Sequence, residues 1–414
     1  HLSNGGIEQD PGDWWKAMCR TTRAIIKRHP GLRDRIKGIS MCAQMQGLVL
    51  VDKILTPLCP AMSYMDQRGV TQKKDFFEHG IQIEKMNLFK LIKSLMINGA
   101  VAGSVKDPIW KYKWIEENRH EIFEQVYKWL DVKDYLIARC TGECTMTGDS
   151  AFATFLTTQK KNETQWSPAL LKMYGINPLH MQEILGATEI AGSLGEIPAK
   201  ELDLMPGIPV FGGGGDASMI TLGAGAVEEG DTYVYTGTSG WVSTTVRNQK
   251  VDVSSRIASI VGAQPGFYNY FAEQETAGKC LEWVKDHLAL DEIHMYLEQK
   301  TILDDPESTY RSLFDFLIKT IQEVDPGAGG VIFTPWLHGN RSPFEDPNAR
   351  GIFFNLSINT GKKQMIRAVV EGIIFHQKWL LESIQKNFPV SEVVRFAGGG
   401  ALSPFMAQLM ADIL

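Results

Sequence analysis

Three times in this sequence a short β-rich run breaks into glycine. Ile208-Pro209-Val210-Phe211 leads into Gly212-Gly213-Gly214-Gly215, and Asp216 to Leu222 then reads as a helix start with its acid in the first turn. Asp231 to Tyr235 leads into Thr236-Gly237-Thr238-Ser239-Gly240, after which Trp241 to Val246 resumes strand character and makes a hairpin. Val393 to Phe396 breaks into Ala397-Gly398-Gly399-Gly400-Ala401 ahead of a helix, with Ser403 as its N-cap and Pro404 at its first position. At 414 residues the chain is too long for one core. The expected division falls near Gly230, giving domains 1–230 and 231–414 of related α/β design.

Each turn has its own chemistry. Four consecutive glycines cannot pack a core or support a regular element, so they are read as backbone freedom, positive φ and close approach of the main chain to a ligand. Asp216 behind them is either a fixed base for a substrate or simply an N-cap after a flexible turn. The hairpin tip Gly237 to Gly240 offers backbone N–H groups and two hydroxyls to phosphate oxygens, although glycine and serine are also ordinary turn formers. The turn at Gly398 to Gly400 presents a helix N-terminus to an anion, or bare backbone to a flat ring. No Lys-Ser or Lys-Thr follows Gly215, so this is not a Walker A loop. Gly223-Ala224-Gly225 follows a helix and carries Glu228 where a dinucleotide fingerprint needs its third glycine. Three glycine turns after strands, in two blocks, suit two domains that close around one phosphate donor.

A net charge of −6 argues against a nucleic-acid surface. No apolar run reaches the roughly 20 residues that span a bilayer, and no signal-peptide pattern opens the sequence, which begins at His1. The six cysteines are scattered, and Cys140 and Cys144 lack a second Cys or His pair, so all are read as reduced thiols of a cytoplasmic protein.

Elsewhere the helical and strand-like patterns alternate. A helix starts at Asp10-Pro11, with Trp14, Trp15, Met18 and Ile25 along one face. Ile36 to Met41 and Leu48 to Val51 read as strands. One helical stretch is expected from Asp107 to Leu136, where Trp110, Trp114, Ile115, Ile122, Phe123, Val126 and Trp129 recur at spacings of three and four. That stripe lacks interleaved basic residues and reads as core. Lys111-Tyr112-Lys113 reads as a solvated helix face.

Thr334-Pro335-Trp336-Leu337-His338-Gly339-Asn340-Arg341-Ser342-Pro343, continued by Asp346-Pro347-Asn348-Ala349-Arg350-Gly351, resembles the C-terminal signature of the FGGY carbohydrate kinases. Glu8 to Pro11 with Trp14-Trp15, Gln44-Met45 with Gly47, Asp66-Gln67-Arg68, Gly212 to Asp216, Gly237 to Gly240 and Gly398 to Ala401 follow in that family's order. The whole looks most like the xylulokinase-like branch.

The resemblance implies two actin-like, ribonuclease-H-type α/β domains with the active-site cleft between them. It implies transfer of the ATP γ-phosphoryl, with Mg2+, to a hydroxyl of a ketose or polyol. Asp216 matches the general base. Gly237 and Thr238 match the second phosphate loop, while Gly278, Gly399 and Gly400 match nucleotide contacts. Met45 and Gln46 fall where the family contacts sugar, and Asp66 lies in a motif on the sugar side; metal ligands are left unassigned. The family's opening Asp-x-Gly-Thr-Thr turn does not precede Glu8, and its further helices and strands do not follow Gly400 before Leu414. Xylulokinase-like members commonly carry His where Gln46 stands. A neutral amide still bonds a hydroxyl but leaves the sugar open. A small sugar or polyol is the expected partner and a homodimer the expected assembly, with neither nucleic acid nor membrane involved. A catalytically idle sugar- and nucleotide-binding regulator of the same fold is the alternative.

Overall fold

The computed structural model describes residues 2, 4–83, 85–160, 163–288, 316–346 and 348–414. The chain forms two units: 1–222 with 247–249 and 260–268, and 223–246 with 250–259 and 269–414. Both mix helices with sheet.

In the first unit, helix Pro11–Arg28 starts where expected. Asp10 caps it by accepting from the Gly12 amide at 2.8 Å, Pro11 occupies the first turn, and Lys27 and Arg28 close it. Its buried face carries Trp15 and Ile26, whereas Ile25 is exposed, so the stripe is rotated from the one expected. The expected strand over Ile36 to Met41 is reduced to a bridge between Ile39 and Val210. Pairing proper begins one residue later, at Cys42–Ala43.

The expected single helix from Asp107 to Leu136 is divided. Helix Pro108–Asn118 and a turn of helix at His120–Phe123 precede strand Lys128–Leu130, and helix Val132–Thr141 follows. Trp129 has the spacing of a helical stripe, but its segment pairs antiparallel with Val49–Val51, and tertiary pairing overrides local period. Asp131, with extended backbone at φ −89° and ψ 175°, then caps the next helix. The aromatic stripe itself is core: Trp110, Tyr112, Ile115 and Trp129 are buried together with Leu48 and Leu50, and Tyr112 stacks on Trp129.

The second unit is organised on a six-stranded sheet. Its order is Val251–Asp252, Ile257–Val261, Tyr268–Gln274, Gly240–Val246, Thr232–Thr236, Val394–Ala397. The hairpin of Thr232–Thr236 and Gly240–Val246 is antiparallel, and Val394–Ala397 joins Thr232–Thr236 in parallel. The long helix Lys362–Gln385 packs on strands Gly240–Val246 and Ile332–Phe333, and buries Val369, Val370, Ile373 and Ile374.

Candidate functional site

Strands Cys42–Ala43 and Gly214–Gly215 run parallel, with Gly215 opposite Ala43. Both chains therefore leave the pair in the same direction, one into Gln44-Met45-Gln46 and the other into Asp216. This register brings the expected base beside the expected sugar-reading segment. The four glycines make the approach feasible, though not as the sequence suggested. All four are buried, and Gly214 and Gly215 form a strand. A Cβ on Gly212 would meet Leu185 at 2.4 Å, one on Gly213 the Met41 carbonyl at 2.1 Å, one on Gly214 the Met219 methyl at 2.3 Å, and one on Gly215 the Met45 side chain at 2.3 Å. Gly213 alone among them has positive φ, at 63°. Glycine here admits neighbouring protein segments, where direct approach of the main chain to a ligand was expected.

Asp149, which the sequence reading did not single out, fixes this corner. Its carboxylate is buried and accepts from the Gly215 amide at 2.8 Å, the Thr147 hydroxyl at 2.5 Å and the Ser150 amide at 2.8 Å. Its sequence signal, an acid at a helix start one glycine beyond a strand, is a weaker form of the strand, four-glycine turn and acid that singled out Asp216. Asp216 begins helix Asp216–Gly223 and stays open to solvent, with one oxygen accepting from the Ala217 amide at 2.9 Å. The protein packed around the carboxyl raises its pKa, the Asp149 charge adds to the rise, and the amide contacts oppose it. A raised pKa makes the carboxylate a better proton acceptor.

Gln46 has φ +62°, a left-handed conformation rare for a residue with a side chain. Its backbone amide donates to Asp131 Oδ2 at 2.9 Å, the Gly47 amide donates to Asp131 Oδ1 at 2.9 Å, and the Gln46 backbone carbonyl accepts from Lys111 Nζ at 2.7 Å, while its side-chain nitrogen lies 3.5 Å from the Ala153 carbonyl. Lys111 is thus not on a solvated face. Lys111 and Tyr112 are fully buried, and burial lowers the Lys111 pKa to about 8. Asp131, also buried, is pushed up to about 7 by desolvation and by the Asp134 charge.

Asp66 is placed differently from the expectation. It is fully buried, and its oxygens accept from the Ile7 and Arg68 amides and from the Arg68 guanidinium, with Nη2 at 2.7 Å. Arg68 also donates to Glu8 at 2.7 Å and lies over the Trp114 ring. With its oxygens so engaged, Asp66 braces the chain near Glu8 instead of facing a sugar. Arg68→Met is expected to destabilise the protein by about 3–5 kcal/mol, because it leaves a buried carboxylate uncompensated. Urea denaturation monitored by tryptophan fluorescence measures this, and a change below about 1 kcal/mol would show that the pair is not structural.

In the second unit, the tips of neighbouring parallel strands lie side by side, not facing each other across the unit. Tyr235 is opposite Ala397, so Gly237-Thr238 and Gly398-Gly399-Gly400 leave the same edge of the sheet. Gly398, at φ +93°, passes so close to Thr236 that a Cβ would lie 2.4 Å from its carbonyl oxygen. Gly400 packs under Phe396 and Thr236, whereas a Cβ on Gly399 would meet nothing within 4 Å. Helix Gly278–His287 begins against the first turn: the Gly278 amide donates to the Gly237 carbonyl at 2.8 Å, and the Ala277 and Lys279 amides donate to the Thr238 carbonyl at 3.2 and 3.1 Å. The hairpin tip, this helix start and the last glycine turn form one backbone-lined surface.

The Thr334 to Gly351 segment supports that surface, with Pro347 outside the described residues. The Thr276 hydroxyl donates to the Pro335 carbonyl at 2.5 Å, and Arg341 pairs with Glu273 and Glu275 at 2.5 Å each. The Trp336 indole donates to His376, whose other ring nitrogen lies 2.8 Å from the Ser342 carbonyl. The signature thus ties the strand before Gly278 to the long helix.

Residues 2–223 match the FGGY family of carbohydrate kinases, N-terminal domain, and residues 232–414 match the C-terminal domain of that family. The chain is 29% identical over 409 residues to the gluconokinase of Bacillus subtilis, covering 98% of this chain and 74% of that protein. It is 28% identical over 407 residues to the xylulose kinase of Escherichia coli, covering 98% and 76%. The solved ligand-bound xylulose kinase of Lactobacillus acidophilus superposes with a TM-score of 0.81 at 24% identity, covering 100% and 77%. The mixed α/β fold is thus the two-domain, actin-like fold of these kinases. This protein belongs to the FGGY carbohydrate kinases, phosphotransferases that act on sugar hydroxyls with ATP as donor. Among the described residues no helix is long and apolar enough to cross a membrane.

Proposed function

We propose that this kinase phosphorylates a neutral acceptor of the xylulose class, a ketose or polyol, with Asp216 as general base. The register that sets Asp216 beside Gln44-Met45-Gln46 carries the reading. A sugar hydroxyl does not ionise near neutral pH, so its proton must leave to a nearby acceptor as the new P–O bond forms. Asp216, open to solvent and raised in pKa, is suited to take that proton. Met45 and Gln46 are uncharged, which favours a neutral polyhydroxy acceptor over an acid such as gluconate. Gly237 and Thr238 would bind the phosphates, Gly399 would lie under the nucleotide with nothing above its backbone, and Gly278 and Gly400 would shape that surface from below.

Magnesium, bound with the nucleotide phosphates, supplies charge neutralisation. Such a hard cation keeps several waters and leans on one or two carboxylates plus phosphate oxygens. Held mainly by phosphate oxygens and water, the cation would leave the exposed Asp216 carboxylate free to take the acceptor's proton.

Assaying ADP release against xylulose, other ketoses, linear polyols and gluconate tests the proposal. The expected result is acceptor-dependent ADP release, highest with a ketose or polyol and matched by phosphorylated product. A preference for gluconate would overturn the neutral-acceptor reading. Binding of sugar and nucleotide without turnover would favour the idle regulator.

A further inference from the structure

Two buried charged side chains of the first unit, Lys111 and Asp131, converge on the backbone of the Met45-Gln46 segment. Lys111 is fully buried and Asp131 almost so, and they sit on two different helix starts: Lys111 within Pro108–Asn118 and Asp131 at the cap of Val132–Thr141. Both are used on a single stretch of backbone. Lys111 grips the Gln46 carbonyl at 2.7 Å, and Asp131 grips the Gln46 and Gly47 amides at 2.9 Å each while anchoring itself to the Val132 amide at 2.8 Å. Gly47 has no room for a side chain, since a Cβ there would lie 2.9 Å from Asp131 and Val132.

A glycine at position 46 would adopt the same left-handed backbone without help. The sequence instead keeps a glutamine there and holds its backbone with a buried ammonium and a buried carboxylate, groups whose burial costs free energy unless they are hydrogen-bonded. We propose that Lys111 and Asp131 are positioning residues for acceptor choice: together they lock the Gln46 peptide from both sides, so that its side-chain amide meets the sugar in one fixed orientation. The inference rests on the reading of Gln46 as an acceptor contact.

The test measures kcat and KM for ATP and for a panel of ketoses and polyols in Gln46→Ala, Lys111→Met, Lys111→Arg and the Gln46→Ala/Lys111→Met double variant. Lys111→Met should lower kcat/KM for the best acceptor by about 10–100-fold, the range of a hydrogen bond from a charged group, with the ATP KM unchanged. It should reorder the acceptors as Gln46→Ala does. The double variant should be no worse than Gln46→Ala alone, because the two residues act as one unit. Lys111→Arg, which keeps a donor towards the carbonyl, should retain the ranking. Additive losses with an unaltered ranking would show that Lys111 serves folding alone. If Gln46→Ala itself leaves the ranking untouched, the acceptor reading of Gln46 fails and this inference falls with it. If Gln46→Ala moves the ranking and Lys111→Met does not, only the inference fails.

The wild-type enzyme provides a second measurement that no folding defect can obscure. Lys111 faces the carboxylates of Asp131, Asp107 and Asp66, and Asp131 faces Asp134 and Lys133. The Lys111 side of the grip weakens as pH rises through about 8 and its proton is lost. The Asp131 side weakens as pH falls through about 7 and a proton is gained. The acceptor KM should therefore be lowest between those values and rise on both flanks, while the ATP KM stays level. An acceptor KM that rises on neither flank would overturn the proposal.

Discussion

Replacing Asp216 with asparagine is expected to lower turnover by about 10²–10⁴-fold, the usual contribution of a positioned general base. The substitution preserves nearly everything else at the site. Asparagine has the same shape, keeps an oxygen for the Ala217 amide, and leaves Gly215 on its Asp149 anchor. It lacks a group able to take the acceptor's proton. Thermal stability and ATP affinity should therefore stay close to wild type while kcat collapses, and KM for the acceptor should change little. Steady-state kinetics, calorimetric nucleotide titration and a melting curve on one preparation distinguish the readings. A variant that keeps its turnover but melts earlier would show that Asp216 is only the opening residue of its helix.

What was legible in the sequence was whatever local chemistry enforces. Asp10-Pro11 and Ser403-Pro404 start helices because capping and the fixed proline φ act within a few residues. The Thr232 to Val246 hairpin follows from β-rich runs around a glycine turn. Legibility failed where distant segments decide. Trp129 continues a helical spacing, but only the pairing with Val49–Val51 makes it part of a strand. Lys111 sits in a run of charge that looks solvated, yet the left-handed Gln46, 65 residues away in sequence, draws it into the core. Asp66 carries the same letter as Asp216, and only the Arg68 guanidinium and the Ile7 amide reveal that its oxygens are taken. Local chemistry therefore indicates where turns and helix starts fall more reliably than which polar side chains stay open and which are taken up by the protein.

Two glycines of the unit proposed to bind the nucleotide should separate close approach to a ligand from close approach to protein. A side chain at Gly399 has open space, since nothing lies within 4 Å of the Cβ position and the residue is exposed. Gly399→Val should leave the melting temperature unchanged and weaken ATP binding, because the methyl groups would fill the space in which the nucleotide meets backbone. Gly278 is the opposite case. Its Cβ would stand 2.5 Å from the Gly237 carbonyl oxygen and 3.4 Å from Thr238 Cα, and both neighbours are main chain that no rotamer change relieves. Gly278→Val must therefore push the Gly237-Thr238 turn away from the helix start that holds it through the bonds to the Gly237 and Thr238 carbonyls. Forcing extra atoms into a packed site costs about 1–3 kcal/mol. ATP affinity should fall by roughly 5- to 150-fold if that cost falls on the bound state, and here the melting temperature should fall with it. Acceptor affinity, measured without nucleotide, should be the same in both variants as in wild type, since Met45, Gln46 and Asp216 belong to the other unit. Unchanged ATP affinity in Gly399→Val would remove the last glycine turn from the nucleotide site. Unchanged affinity in Gly278→Val, despite a lowered melting temperature, would show that the hairpin tip moves without touching the phosphates.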